Sequence, residues 1–362
     1  MKSSITNRQM FFLLFLTLTT YTVISIPGVI ARTSGSGGWV SIMITSFFFA
    51  AFSAVLIRLN SAFPGMMLYE YSRRIAGPFL AYILGIYFIC YFFLVSVYLS
   101  IQLISVLKAE FYPKTPSWVM LAASVTVFGT IAYRGAANVA RFFEIIGVAF
   151  LVTAIVTHLV MFQQGRLEEI RPLFRVSQVR EYLLGVKDVI IAFLGIELLT
   201  VFPLSGKNSR RSVLTAAMTV LVVGLFYVLV TETCIMMLGM KSAENYNFAL
   251  IEAIKQIDNP ILERFDILYL TVGFAGLVAG TSGVYLALVE YAIRLFAKTK
   301  RIFVTAGAGV VIVVLGIAAQ SMKSARDMLE AALTAAGLVS AFFIPAALLL
   351  TAKVRGLVQK PQ

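Results

Sequence analysis

The chain has 362 residues, of which 60% are hydrophobic and 13% charged, and its mean hydropathy is +0.91. So little charge cannot cover a water-facing globular surface, which excludes a soluble fold and makes lipid the expected solvent. The net charge of +13 does not point to nucleic acid, because the basic residues stand at the ends of apolar runs rather than in a stripe with interleaved aromatics.

In chain order, apolar runs bounded by charges and turn residues predict spans near 9–33, 38–59, 78–107, 117–133, 137–162, 186–204, 211–239, 264–296, 302–320 and 328–352. Lys2 and Arg8 precede the first run in the manner of a signal peptide. The run continues past Pro27 and similar runs follow, so it is expected to be retained as the first span. Residues 1–362 read as a single integral membrane domain in the lipid bilayer, with no room for a soluble domain between spans.

With the N-terminus inside, 17 of the 30 Lys and Arg fall on cytoplasmic connectors and ends, including Arg73, Arg74, Arg134, Arg141, Lys207, Arg294, Arg301, Arg355 and Lys360. That asymmetry predicts both termini in the cytoplasm. Two connectors exceed simple turns. Residues 163–185 and 240–263, the latter with Phe248, Leu250, Ile251, Ile254 and Ile257 at helical spacing, are expected to form amphipathic helices on the outer face.

The first span is interrupted at Ser25-Ile26-Pro27-Gly28 and the sixth at Phe193-Leu194-Gly195-Ile196-Glu197, with Pro203 closing it. Two sets of five spans, about 9–162 and 186–352, each opening on a broken helix, predict an all-α polytopic protein of about ten transmembrane helices. They form a five-plus-five inverted repeat with a site at the midplane. Half-helix ends leave N–H and C=O groups free to meet a small polar ligand.

In the eighth span Thr281 and Tyr285 lie four residues apart and share a face, where their hydroxyls could meet that ligand. The alternative is that Gly273, Gly276, Gly280 and Gly283 let helices approach while Thr281 bonds its own helix. Thr281 and Ser282 are also weak candidates for a cation site with first-span carbonyls; no other metal site is expected.

Glu144 and Glu290 have Arg141 and Arg294 at helical spacing and read as local ion pairs, while Glu232 lies in the outer part of its span. Glu197 has no basic residue at helical spacing. It is expected either to serve a ligand or proton, or to hold the freed N–H groups of the break. Tyr87, Tyr91 and Tyr98 of the third span, with Phe342 and Phe343 of the tenth, are candidate pocket walls. His158 reads as an interfacial histidine, and Cys90 and Cys234 as small core residues. No nucleophile elbow, phosphate loop or HExxH pattern occurs, so no enzyme activity and no cofactor are expected.

Several of these features occur together: Ile26-Pro27-Gly28, Gly38-Trp39, Phe63-Pro64 followed by Glu70-Tyr71, Arg134-Gly135, and Gly195-x-Glu197 through Phe202-Pro203. In them the chain resembles the B subunit of GerA-type spore germinant receptors. That is the spore germination permease family of the amino acid/polyamine/organocation transporter superfamily, whose fold is LeuT-like. Gly38 departs from the acidic residue that the family often carries before the Trp.

The resemblance implies a sensor subunit in the spore inner membrane that binds a small germinant, an amino acid or a sugar. It implies signalling with an A subunit and a lipoprotein C subunit. Carried over by position, the ligand would meet backbone at Ser25, Ile26, Pro27, Gly28 and Val29 and at Leu194, Gly195 and Glu197, with side chains from Tyr98, Thr281 and Tyr285. The competing expectation is an amino-acid transporter coupled to protons through Glu197 or to sodium through Thr281 and Ser282.

Overall fold

A computed structural model of the chain describes residues 5–204, 209–257, 265–296, 298–320 and 323–357. Lys2, Lys207 and Lys360, used above for orientation, lie outside them. Among the described residues seven helices are long and apolar enough to cross a membrane, and a shorter apolar helix, Ser117–Tyr133, joins them. Two further spans are built from broken pieces and are too short to qualify individually.

The first of these is α1 (Asn7–Thr22) followed by α2 (Ile26–Thr33). Thr6 caps α1, its hydroxyl accepting from Gln9 N–H while the Gln9 side chain accepts from Thr6 N–H. The helix ends at Thr22, at the start of the β-branched run Thr22-Val23-Ile24, which fits a helix poorly. The break lies at residues 23–25, earlier than predicted. Pro27 has no N–H to offer the Val23 carbonyl, yet its fixed φ suits the first turn of a new helix, so Pro27 and Gly28 open α2 instead of lying in the unwound part.

Then follow α3 (Trp39–Ala62), the short α4 (Leu68–Ala76), α5 (Pro78–Glu110), α6 (Ser117–Tyr133) and α7 (Ala136–Gln164). Gly77 and Gly135, both at positive φ, turn the chain into α5 and α7. The second half opens with α8 (Val179–Val189), so residues 179–185 belong to the first half of the sixth span rather than to a surface helix. Beyond α8 the span consists of two 3-10 segments, Ile190–Phe193 and Ile196–Thr200. The broken stretch is therefore longer than the five residues expected.

The remainder is α9 (Ser209–Leu238), the connector helices α10 (Met240–Ala243) and α11 (Ala249–Lys255), α12 (Phe265–Leu295), α13 (Arg301–Gln320), α14 (Lys323–Leu338) and α15 (Ile344–Val354). Between α14 and α15 the tenth span widens into a π-helical turn, Val339–Phe343. Pro345 cannot donate to the Ala341 carbonyl, which accounts for the relaxed turn at that point.

Large apolar side chains such as Phe79, Ile145, Phe303 and Val354 face outward, as lipid contact requires. Cys90 also faces outward, contrary to its core reading, while Cys234 is buried. At one face of the bundle the first described residues and the loop after α3 meet the end of the sixth span. There Ile5 N–H donates to Pro203 O at 3.3 Å and Gly65 N–H to Leu204 O at 3.1 Å. Glu290 bonds Arg294 as predicted and also Arg301 at 2.8 Å. Glu144 instead meets Arg8 of α1 at 2.7 Å, a pairing between distant segments that the proximity of Arg141 in sequence did not suggest.

On the opposite face Trp39 Nε1 donates to Leu173 O at 2.8 Å and Arg32 to Glu244 O at 2.6 Å, tying both long connectors to α2 and α3. The connector helix α11 does not lie on the surface. Its Leu250, Ile251 and Ile254 are buried, and it is inserted into the mouth of the bundle.

Candidate ligand site at the two helix breaks

Unwound backbone is tolerated at membrane depth only where protein supplies its hydrogen bonds. In the first break Ser25 N–H returns to Thr22 O at 3.0 Å, and the Ile24 carbonyl accepts from Leu250 N–H of α11 at 3.3 Å. The long connector after α9 thus caps a carbonyl freed inside the bundle. Gly28 makes this approach possible: a Cβ there would lie 2.6 Å from Tyr246 O and 3.1 Å from Ala243 O.

In the sixth span residues 189–204 are almost all fully buried, and side chains replace the missing helix ladder. Gly195 turns at φ 128, which no L-residue adopts cheaply. Its N–H donates to Glu197 Oε2 at 2.9 Å, and Tyr91 O–H donates to Glu197 Oε1 at 2.6 Å. Asn60 Nδ2 donates to Leu199 O at 2.9 Å and is itself held by Tyr71, while Tyr291 bonds Thr200 at 3.0 Å. Of the two roles open for Glu197 in the sequence, these bonds are those of the second, an anchor that holds the freed backbone of the break.

Tyr227 of α9 joins the two breaks. Its hydroxyl lies 2.8 Å from Leu18 O and 3.0 Å from Ala192 O, so one proton serves a carbonyl in each broken span. Tyr227→Phe leaves both carbonyls without this donor in a buried setting. We expect a loss of about 1–3 kcal/mol, read as a lower unfolding temperature of the detergent-solubilised protein with no change in fold.

Two small cavities flank the first break. One, about 20 Å³, is lined by residues including Thr22, Ser25, Gln102 and Phe248; the other, about 30 Å³, lies among α1, α5, α7, α11 and α12. Each has room for a water or two and not for a larger ligand. Gln102 is a contact that the sequence reading missed. Its Nε2 donates to Tyr98 Oη at 3.2 Å, which brings Tyr98 to the site through an intermediary.

Of the other expected contacts, Leu194 packs where Gly337 leaves room for it, since a Cβ at that glycine would lie 2.6 Å from the leucine methyls. Thr281 and Ser282 donate to their own helix, to Leu277 O at 2.8 Å and Val278 O at 2.6 Å. Tyr285 is not brought to the breaks. Gly276 and Gly283 of α12 meet Leu16, Phe143 and Leu198, whereas Tyr285, nine residues from Gly276, lies half a turn round the helix. Its hydroxyl donates to Thr305 O at 2.6 Å beside α6 and α13.

Among the candidate wall aromatics, Tyr87 bonds Ala336 O at 2.7 Å, Phe342 stacks on Phe52, and Phe343 faces outward. His158 is fully buried rather than interfacial, with Nδ1 2.8 Å from Thr233 Oγ1. It packs between α7 and α9, where an edge-on contact with Phe226 replaces the water assumed for it.

Two repeats of five spans, each opening on a broken helix and joined at their breaks, define a membrane protein of the LeuT-like transporter fold. Solved structures agree: MhsT in complex with L-phenylalanine matches with a TM-score of 0.66, covering 95% of this chain and 98% of that one at 12% identity. A manganese transporter from Eremococcus coleocola, in complex with an aromatic bis-isothiourea substituted compound, matches with a TM-score of 0.62, covering 98% and 82% at 12% identity.

Within that fold the chain belongs to the family described as "Spore germination protein", whose profile matches residues 4–324. Curated relatives include spore germination protein YndE of Bacillus subtilis, 23% identical over 71% of each chain. Spore germination protein B2 of the same species is 23% identical over 74% of each, and GerLB of Bacillus cereus is 27% identical over 38% of each.

Proposed function

We propose that this protein is the membrane subunit of a nutrient germinant receptor, binding a small germinant at the first helix break and signalling with A-type and lipoprotein C-type partners in the spore inner membrane. The observation that carries the reading is the Leu250 cap on the Ile24 carbonyl. A carbonyl freed by a helix break and covered by an N–H from the first turn of α11 is one that an incoming ammonium or hydroxyl can take over. The ligand then stabilises an arrangement in which α11 has moved away.

Ser25 and the backbone of residues 25–29 form one wall of the site, and Gln102 presents the nearest side-chain amide. On this reading Glu197, Gly195 and Tyr227 position the second break, and Tyr98 orients Gln102. A ligand produces a signal only through its different affinity for the capped and uncapped states. A few kcal/mol of difference is enough to exchange their populations.

Gln102→Leu conserves volume and removes the amide. With subunit abundance unchanged, the half-maximal germinant concentration of spores carrying it should rise about tenfold, the equivalent of one hydrogen bond to a charged ligand group. An unchanged concentration places the germinant elsewhere. Uptake of labelled germinant by vesicles containing this chain alone would identify the transporter alternative instead.

A further inference from the structure

We propose that the groove between α6 and α13 binds an anionic phospholipid, one acyl chain lying between the two helices and the phosphate between Arg134 and Lys300. The groove has a volume of about 580 Å³ and shares no lining residue with the cavities at the first break. Val125, Gly129 and Tyr133 of α6 line it with Ile302, Ala306 and Gly309 of α13. The helices run antiparallel there, since Arg301 at the start of α13 donates to Ala132 O near the end of α6 at 3.1 Å.

Two glycines make the groove deep. A Cβ at Gly309 would lie 3.0 Å from Tyr285 Oη and 3.1 Å from Val125, so α13 comes down onto α12 at this point without a side chain between them. The hydroxyls in the wall already have partners: Thr126 donates to Ala122 O at 2.7 Å, Thr130 to Thr126 O at 2.8 Å, Thr305 to Arg301 O at 2.9 Å and Tyr285 to Thr305 O at 2.6 Å. The groove therefore asks its occupant for no hydrogen bond, and a hydrocarbon chain satisfies it.

Its two ends differ in charge. Arg134 directly follows Tyr133, and Lys300 stands two residues before Ile302; both are exposed, and neither forms an ion pair among the described residues. The carboxylate nearest in the bonding pattern, Glu290, is taken by Arg294 and Arg301. The opposite end, at Val313 and Val314, is apolar. From residue 302 to residue 314 the groove runs about 18 Å at 1.5 Å per residue, little more than half of the roughly 30 Å hydrocarbon core. That is the depth of one leaflet. A transmembrane helix would run the full thickness, whereas a phospholipid has this length and this polarity, with its anionic group at the basic end.

The test follows thermal unfolding of the full-length protein in detergent as dioleoyl phosphatidylglycerol or dioleoyl phosphatidylcholine is titrated in, with bound lipid counted by native mass spectrometry. Wild type should be stabilised at a lower mole fraction of phosphatidylglycerol than of phosphatidylcholine. Arg134→Gln with Lys300→Gln should raise the half-saturating fraction of phosphatidylglycerol about 25-fold, at roughly fivefold for each basic group beside the phosphate. Arg73→Gln with Arg74→Gln, an exposed pair on α4, should leave it unchanged. Ala306→Phe, which fills the groove from an exposed position in its wall, should weaken both lipids.

Equal binding of the two lipids, or an equal loss in the α4 pair, would reduce the effect to general surface charge and overturn the assignment. Full binding in Ala306→Phe would mean that no chain lies in the groove. Glycerophosphoglycerol, the headgroup without chains, should not stabilise the protein; stabilisation at the same concentration as the lipid would make this a free-anion site and overturn the proposal. Disulfide cross-linking of Ala306→Cys to another protein in native membranes would give the groove to a partner helix, with the same consequence. Ala306→Leu, a smaller plug, keeps the comparison valid should Ala306→Phe fail to accumulate.

Discussion

Glu197→Ala is expected to be among the most damaging single substitutions in this protein. It removes the acceptor of two buried donors, Gly195 N–H and Tyr91 O–H. Both sit at buried residues, and each buried group left unsatisfied costs about 1–3 kcal/mol. The sum, about 2–6 kcal/mol, is a large fraction of the stability that a folded domain possesses. Glu197→Gln keeps an acceptor for Gly195 N–H, and the Tyr91 hydroxyl can rotate to accept from the new amide, so that variant should lose far less. Thermal unfolding of the solubilised proteins, with membrane abundance alongside, measures the difference. Equal behaviour of the two variants would show that the carboxyl group does not hold the break.

The second large effect is expected at Gly28. In Gly28→Ala the new methyl would lie 2.6 Å from Tyr246 O, a main-chain atom that cannot turn aside like the tip of a side chain. The connector that carries Tyr246 has to retreat from α2, loosening the Leu250 cap on Ile24. Overpacking of this kind costs the closed arrangement about 1–3 kcal/mol, which raises the open fraction roughly 5–150-fold.

The measurement is labelling of Ser25→Cys by a membrane-impermeant thiol reagent, in a background where Cys90 and Cys234 are replaced by alanine. Gly28→Ala should label faster by that factor, and spores carrying it should germinate at lower nutrient concentrations. Labelling no faster than in the parent would mean that the connector is not the barrier to the break.

The spans were legible in the sequence because lipid imposes long apolar runs, and most predicted boundaries agree with the helices within a few residues. The fine structure of the breaks was less so. Pro27 pointed to the right region, but its physical effect falls on the carbonyl four residues earlier, so the unwinding precedes it. Glu197 stood out by lacking a local partner in sequence. Its actual partners, Tyr91 and the turn at Gly195, were named on separate grounds, but their bonds to Glu197 depend on how α5 passes the sixth span.

Tyr227, Asn60 and Gln102 were missed for a common reason. Each is a polar residue inside an apolar run, the kind that joins helices to one another, but only packing shows which helix receives it. Tyr285 shows the converse. Spacing correctly put it on one face with Thr281, and could not say that this face looks toward α6 and α13.

On the proposed reading, the Leu250 cap also limits how sensitivity can be inherited. Its donor is a main-chain amide, present whatever side chain stands at 250 unless that residue is proline. Ordinary sequence drift therefore cannot delete the latch. If the cap gates the germinant, lineages with a more or less excitable spore must alter what surrounds it, through the fit of the connector against Gly28 or the packing beneath α11. The threshold can shift by small steps while the latch itself persists.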